Sequence, residues 1–373
     1  MQIVIFCHSL LSDWNHGNAH FLRGITTELL CRGHQVRVYE PSSAWSLQNL
    51  IADYGESAIT EFHAAYPQLE SIPYDRSTLD LNQALAGANL VLVHEWNEPE
   101  VVQQIGRHRA EAGSYRLLFH DTHHRAITAP ETMAAYDLSD YDGVLAFGAV
   151  IRDLYLDQGW IAQAWTWHEA ADTRIFHPIE QPSESEGDLV WIGNWGDDER
   201  TAELYEFLIN PIKALGLKAR VYGVRYPQSA QQALREAGIE YGGWLPNYQV
   251  PQVFSRFRVT VHVPRRPYAA ALPGIPTIRP FEALACGIPL ISAPWQDAEG
   301  LFTPGKDFLV APTGEAMQHH LKALLANPSL GRKLAAHGLQ TIRSRHTCAH
   351  RVDELLQIYA QLEGINQAEA ILA

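Results

Sequence analysis

Residues 2–40, QIVIFCHSLLSDWNHGNAHFLRGITTELLCRGHQVRVYE, decide the fold. QIVIF (2–6) is an apolar run of strand length. Residues 17–33 then place Phe21, Ile25, Leu29 and Leu30 at helical spacing, Gly33 is set to end that helix, and Gln35–Tyr39 reads as a second strand. Strand, helix, strand in this order is a βαβ opening, which implies parallel strands. Further strands are expected at Leu90–His94, Arg116–His120 and Val144–Phe147, with helical segments between them. Alternation at this spacing predicts a parallel sheet covered on both faces.

A second alternation lies downstream. HPIEQPSESEG (177–187) is polar, carries two prolines and separates two apolar regions, so it reads as an interdomain linker. DLVWIG (188–193), KARVYG (218–223), RVTVHV (258–263) and IPLISA (288–293) are expected strands, and the stretch from Glu315 to Leu362 is expected to be helical. The expected fold class is α/β: two doubly wound Rossmann-like domains facing across a cleft, with a C-terminal helical segment. The expected boundaries are 1–177, a linker at 178–187, 188–345, and a final helix over 346–373 that returns to the first domain. Ligands of such sheets bind outside the carboxyl ends of the parallel strands, so the cleft between two such edges is the expected site.

At 373 residues the chain exceeds what one core usually holds, in keeping with two domains. Hydrophobic residues make up 46% and charged residues 19%, which supplies a buried core and argues against disorder. No apolar run approaches the roughly 20 residues that span a bilayer. The first basic residue, Arg23, leaves no positive segment ahead of IVIF. A cytoplasmic protein is expected, with peripheral attachment to a membrane left open. Cys7, Cys31, Cys286 and Cys348 have no paired spacing, which argues against a disulfide framework and a structural zinc site. The formal net charge of -14 offers no general attraction for nucleic acid or anionic lipid, so no nucleic-acid partner is expected and ligand recognition must be local.

Three stretches carry chemistry. In CHSLLSDWNHGNAH (7–20), Gly17 stands just ahead of the first helix. A glycine there lets backbone amides approach a ligand, and the helix N-terminus favours negative charge; a plain turn residue is the alternative. Neither G-x-G-x-x-G nor G-x-x-x-x-G-K is present, so dinucleotide and P-loop sites lack their defining residues. LLFHDTHHR (117–125) delivers His120 and Asp121 at the end of a strand, with His123, His124 and Arg125 in the following loop. Substrate contact is the expected role. A metal site and a structural histidine cluster are the alternatives, and adjacent loop histidines fix no metal geometry, so no metal ligands are assigned.

The third stretch is PGIPTIRPFEALACGIPLISAPW (273–295): a loop, a short helix with Pro280 in its first turn, a glycine stop and an apolar strand. Arg279 at the helix N-terminus, with Arg265 and Arg266 on the loop before it, forms an expected diphosphate site. Glu282, one turn in, is expected to accept two hydrogen bonds from ribose hydroxyls. Phosphate and ribose together mean a nucleotide. An Arg279–Glu282 surface ion pair is the alternative. WIGNWGDDER (191–200) and YGVRYP (222–227) also end strands on that edge, adding Asn194, beside Gly193 and Gly196, and Arg225 as secondary contacts.

These segments resemble the GT-B glycosyltransferases, particularly the retaining, nucleotide-sugar-dependent group called family four and its CgeB-like branch. WNHGNAHFLRGITTELLCRGHQVRVYE (14–40) is similar to the branch's glycine loop, helix and strand. HEAADTRIFHP (168–178) resembles the family's segment before the interdomain crossing, RPFEALACGIPLI (279–291) its nucleotide-binding helix, and RHTCAHRVDELL (345–356) the branch's terminal helix. The resemblance implies an acceptor-side first domain and a second domain that binds a nucleotide sugar. It implies that Glu282 holds the ribose, that Arg279 with Arg265 or Arg266 holds the diphosphate, that His120 lies near the donor's anomeric carbon, and that Gly17 lies beneath the diphosphate and acceptor. One departure stands out. Many family members carry a Glu eight positions before Glu282 that contacts the donor sugar, and here that position is Gly274, with backbone amides around Pro273–Ile275 as the expected substitute.

The implied activity is transfer of a sugar from a nucleotide-diphosphate sugar, the co-substrate, to an acceptor that is a sugar, a lipid-linked compound or a small molecule. No cofactor is implied, because the arginines neutralise the leaving diphosphate. With retention the departing phosphate takes the acceptor's proton; with inversion Asp121 or His20 would be the base. A non-catalytic nucleotide-sugar-binding protein, and a nucleotide-sugar epimerase or phosphorylase, are the competing readings. The 10 Trp and 15 Tyr are read mainly as core and rim packing.

Overall fold

A computed structural model describes residues 1–180, 185–196 and 198–364. The chain forms two compact units, one built from Met1–Glu169 together with the chain from Cys348 onward, the other from Ala170–Thr347.

The first unit is a parallel sheet of β1 (Gln2–Phe6), β2 (Gln35–Pro41), β3 (Ile72–Tyr74), β4 (Leu90–His94), β5 (Arg116–Asp121), β6 (Gly143–Ala146) and β7 (Ala164–Thr166), ordered β3-β2-β1-β4-β5-β6-β7. The direction of winding reverses between β1 and β4, where Ile3 pairs with Leu90 and Phe6 with Val93. Both strands are continuous apolar runs because helices cover both faces of a parallel sheet. The helix Ala19–Cys31 buries Phe21, Leu22, Ile25 and Leu29. It ends at Gly33, whose φ of 83° lets the His34 N–H reach back to the Leu29 carbonyl. The helix Cys348–Glu363 packs on this same helix: Trp167 Nε1 donates to the Arg351 carbonyl at 2.8 Å, and Arg32 meets Asp353 at 2.5 Å.

The second unit repeats the plan with β8 (Gly187–Ile192), β9 (Ala219–Tyr222), β10 (Ile239–Tyr241), β11 (Phe257–His262), β12 (Leu290–Ser292) and β13 (Leu309–Val310), ordered β10-β9-β8-β11-β12-β13 and parallel. Winding reverses between β8 and β11. The helix Ile278–Cys286 lies between β11 and β12, and the helices Gly314–Ala326 and Pro328–Arg345 follow β13.

The α/β class with two doubly wound units is as expected. The division between units differs from the expected 177/178. Ala171 and Phe176 lie in the second unit's core, and the Ala171 N–H donates to the His346 carbonyl at 3.0 Å, so the chain joins that unit at Ala170. Part of the expected linker is also tied down. Glu186 pairs with Arg220 and Arg256, both at 3.1 Å, and Gly187 already belongs to β8, while residues 181–184 lie outside the described residues. The short strands β3, β7, β10 and β13 extend the two sheets beyond the expected strands.

Candidate functional site

In the second unit, the loops at the carboxyl ends of β8, β9 and β11 meet backbone to backbone. A Cβ on Gly223, at φ 152°, would lie 2.1 Å from the Gly193 carbonyl oxygen, so only glycine fits. Asn194 Oδ1 accepts the Val224 N–H at 2.9 Å. Asn194 thereby holds the turn that carries Arg225, an exposed residue at φ 61°.

Beside these loops stand three arginines. Arg200 donates from Nη1 to the Val263 carbonyl at 3.0 Å and from Nη2 to the Asn194 carbonyl, and its guanidinium lies 5.1 Å from the centre of the Trp191 ring. Gly196, at φ 88°, brings the chain past it: a Cβ there would sit 3.3 Å from Arg200 Nε and 3.5 Å from Arg265 Nε. Burial, followed by the charges of Arg265 and Arg279, pushes the Arg200 pKa down to about 9. Arg200 Nε is buried with no hydrogen-bond partner. Arg265 and Arg279, close enough to disfavour the charge on Arg200, form with it a cluster that suits an anion. Arg200 ends the stretch WIGNWGDDER, and no local pattern there marks it as a ligand contact.

Arg265 caps the short helix Arg266–Ala271 and meets Glu199 at 3.3 Å. Arg266 points elsewhere, held by both oxygens of Glu203 at 2.9 and 3.1 Å. The helix Ile278–Cys286 starts after Thr277, held at φ 62°, and stops at Gly287, at φ 68°. Its Glu282 is fully buried, accepting from Asn247 Nδ2 at 2.7 Å and from Arg279 Nη1. The Arg279–Glu282 ion pair therefore exists, but as a pair with a buried carboxylate and a guanidinium that is 31% exposed. Such a carboxylate needs its partner, because removing Arg279 leaves a buried charge uncompensated.

Gly274 has φ 93°, and its N–H donates to the Gln296 carbonyl at 2.6 Å. A Cβ there would lie 2.7 Å from Glu299 Oε1. The backbone conformation favours glycine at position 274, and the carboxylate beside it belongs to Glu299.

In the first unit, His120 sits near the carboxyl end of β5 with its ring 4.8 Å from Trp167 and 5.2 Å from His94. Burial lowers its pKa to about 3, so the ring is a neutral imidazole, and its Nε2 is buried with no hydrogen-bond partner. Asp121 is wholly buried, accepting from the Tyr155 hydroxyl at 2.9 Å and the His123 N–H at 3.0 Å. Burial, and then the charge of Glu95, raises its pKa well above the usual carboxylate value, so Asp121 anchors the loop and favours its protonated form. Arg125 is pinned by Glu95 at 2.9 Å and lies 4.2 Å over Trp96. Gly17 lies exposed in the turn ahead of the helix Ala19–Cys31, and His20 is buried within that helix.

Residues 200–357 match the family described as glycosyl transferase-like. Among curated proteins, none matches the sequence. Solved structures match along nearly the whole chain. Sucrose-phosphate synthase from Thermosynechococcus elongatus is 15% identical, covers 98% of this chain and 99% of its own, and has a TM-score of 0.68. A glycosyltransferase from Rickettsia africae is 10% identical, with coverage of 96% and 98% and a TM-score of 0.66. HepE of Anabaena, solved with UDP-glucose, is 12% identical, with coverage of 97% and 100% and a TM-score of 0.66. The fold is GT-B. On this GT-B fold, the glycosyl transferase-like segment contains Arg200, Arg265, Arg279 and Glu282. No helix among the described residues is long and apolar enough to cross a membrane.

Proposed function

We propose that this protein is a glycosyltransferase whose second unit binds a nucleoside diphosphate sugar and whose first unit receives the acceptor. The observation that carries this reading is the pair Arg200 and Arg265 at Gly196, with the charge of Arg279, in the first turn of the helix that bears Glu282, reaching Arg200. The glycosyl transferase-like match over 200–357 and the UDP-glucose held by a protein of the same fold support it.

The assigned roles follow from charge. Breaking the glycosyl–phosphate bond sends its electron pair to the diphosphate, so negative charge grows where the guanidinium groups and the helix N-terminus converge. Arg279 and Arg265 hold the diphosphate, with Arg200 behind them. Arg266 and Asn194 are engaged with Glu203 and the 223–225 turn, so they act on the shape of the site, and Arg225 is kept as an outer contact. Glu282 takes the ribose hydroxyls once Arg279 turns from its carboxylate to the diphosphate. His120, as a neutral ring, is assigned to hydroxyls of the transferred sugar, and Gly17 to the loop near the acceptor. In the retaining course the acceptor oxygen bonds to the anomeric carbon and its proton goes to the departing phosphate. The protonated form favoured at Asp121 weighs against an inverting role for it. Retention, metal independence and the CgeB-like branch belong to this reading.

A thermal-shift series with UDP, GDP, ADP and dTDP and their sugars tests it, since a ligand at 100 times its Kd stabilises by about 2.7 kcal/mol. One nucleotide series is expected to raise the midpoint. Arg279→Ala should lose about 100-fold or more in turnover with a smaller change in donor Kd, whereas Glu282→Ala should mainly weaken nucleotide binding, with Glu282→Gln as the folding control. No shift with any nucleotide, or small and equal effects of both substitutions, would sink the assignment.

A further inference from the structure

The carboxyl edge of the first unit's sheet holds four imidazoles in a row. His8 follows β1, His16 lies in the loop ahead of the helix Ala19–Cys31, His94 closes β4 and His120 nears the end of β5. Ring centroids lie 5.2 Å apart from His8 to His16, 6.3 Å from His16 to His94 and 5.2 Å from His94 to His120. None of the four is more than 5% exposed. Yet each keeps one buried ring nitrogen with no hydrogen-bond partner: Nε2 of His8, His16 and His120, and Nδ1 of His94. An unpaired buried polar atom is costly, and folded proteins carry few of them. Four together, at the sheet edge where α/β folds take ligands, are groups that a ligand would satisfy.

Their chemistry restricts that ligand. Burial lowers the pKa of all four rings, to about 4 at His8 and about 3 at His120, so they stay neutral. A neutral imidazole offers one N–H donor and one acceptor, and a hydroxyl likewise donates once and accepts. The guanidinium charges that reach the rings are already engaged, Arg23 with Asp13 and Arg125 with Glu95, each at 2.9 Å. Among the described residues no three His, Cys, Asp or Glu side chains are arranged to hold a metal ion. At the His8 end stand two half-buried indoles: the Trp45 ring is 4.5 Å from His8, and the Trp96 ring is 6.4 Å from both. Aromatic faces of this kind pack against the C–H surfaces of sugars.

We propose that the rings of His8, His16 and His94, with Trp45 and Trp96 at their end, recognise an uncharged, polyhydroxylated acceptor, a sugar, whose hydroxyls pair with their three open ring nitrogens, while His120 beside them stays with the transferred sugar. The inference rests on the transferase reading and adds the chemical class of the acceptor. A phosphorylated acceptor would meet only cations that already hold carboxylates.

Calorimetric binding to the full chain tests the proposal with glucose, galactose, mannose and myo-inositol, with the corresponding sugar 1-phosphates, and separately with UDP. At least one neutral compound is expected to bind. His16→Leu and His94→Leu should each weaken it about tenfold, the loss of roughly one buried hydrogen bond, while UDP affinity changes by less than about twofold. Thermal midpoints check that the variants fold. Should one fail to fold, the wild-type comparison of neutral against phosphorylated sugars still decides. Binding of the phosphates alone, no binding of any neutral compound, or unchanged affinity in both folded variants overturns the proposal. A wild-type protein that binds a neutral sugar but neither UDP nor any other nucleotide would count against the donor reading and leave the sugar site standing.

Discussion

His120 shows at the scale of one residue how burial sets both chemistry and acid sensitivity. Desolvation lowers its pKa from 6.5 to about 3, and the same cause acts on His8, His16, His94 and His262. The unfolded chain takes up these protons below about pH 6.5 and the folded chain refuses them, so stability is full above that pH and falls as pH drops. Asp121 and Glu95 act in the opposite sense, because burial raises their pKa and the folded form keeps their protons. The five histidines outnumber the two acids. Urea midpoints are therefore expected to fall steadily from pH 6.5 to 4.5, at about 1.4 kcal/mol per pH unit for each unbalanced histidine. His120→Phe should make that dependence shallower. A midpoint flat across this window would show that the rings are not held neutral.

Among elements, the helix Ile278–Cys286 matters most, since it carries Arg279 and Glu282. The helix Pro328–Arg345 packs on it through Gly338. A Cβ at 338 would lie 2.6 Å from Leu284 Cδ2 and 3.0 Å from the Asp307 carbonyl oxygen. Replacing a helical glycine ordinarily gains about 0.5–1 kcal/mol. Overpacking at such a contact costs about 1–3 kcal/mol, and a valine, larger and branched at Cβ, lies toward the upper end. Gly338→Val is expected to lower the urea midpoint and weaken nucleotide binding together, because the displaced helix carries the site. A higher midpoint would mean that the contact is slack.

For the whole molecule, the chain's return to its first unit has a thermodynamic consequence. The helix Cys348–Glu363 buries Val352 and Leu355 completely and Ile358 to within 6%. Each buried aliphatic side chain contributes about 1.5–3 kcal/mol, so together they rival the roughly 5–15 kcal/mol that holds a domain folded. Removing the chain after Thr347 should therefore destabilise the unit of Met1–Glu169 selectively. Hydrogen exchange should show lost protection in β1, β4 and β5 with β8 and β11 little changed. Equal loss in both units, or none, would show that the helix does not complete the first unit.

The strands β1, β4 and β8 are legible in the sequence because a central parallel strand is buried on both faces and reads as a nearly unbroken apolar run, and β11 is legible from its β-branched Val259, Thr260 and Val261. The helix Ile278–Cys286 is legible from Pro280 and Gly287, which mark its two ends. The edge strands β3, β7, β10 and β13 are two or three residues long, and a neighbouring strand stabilises them, so no local pattern announces them. Arg265, Arg279 and Glu282 can be picked out by their place beside one helix. Arg200, the Glu299 carboxylate over Gly274 and the row of His8, His16, His94 and His120 cannot, since each joins residues far apart in the chain. The alternation of strand and helix, and with it two parallel sheets, is already written in the order of the amino acids, because that pattern is a matter of side chains a few residues apart. Only the tertiary structure decided which arginines gather, which are neutralised by Glu203 or Glu282, and which imidazoles are left unpaired, because those outcomes depend on where distant strand ends come together.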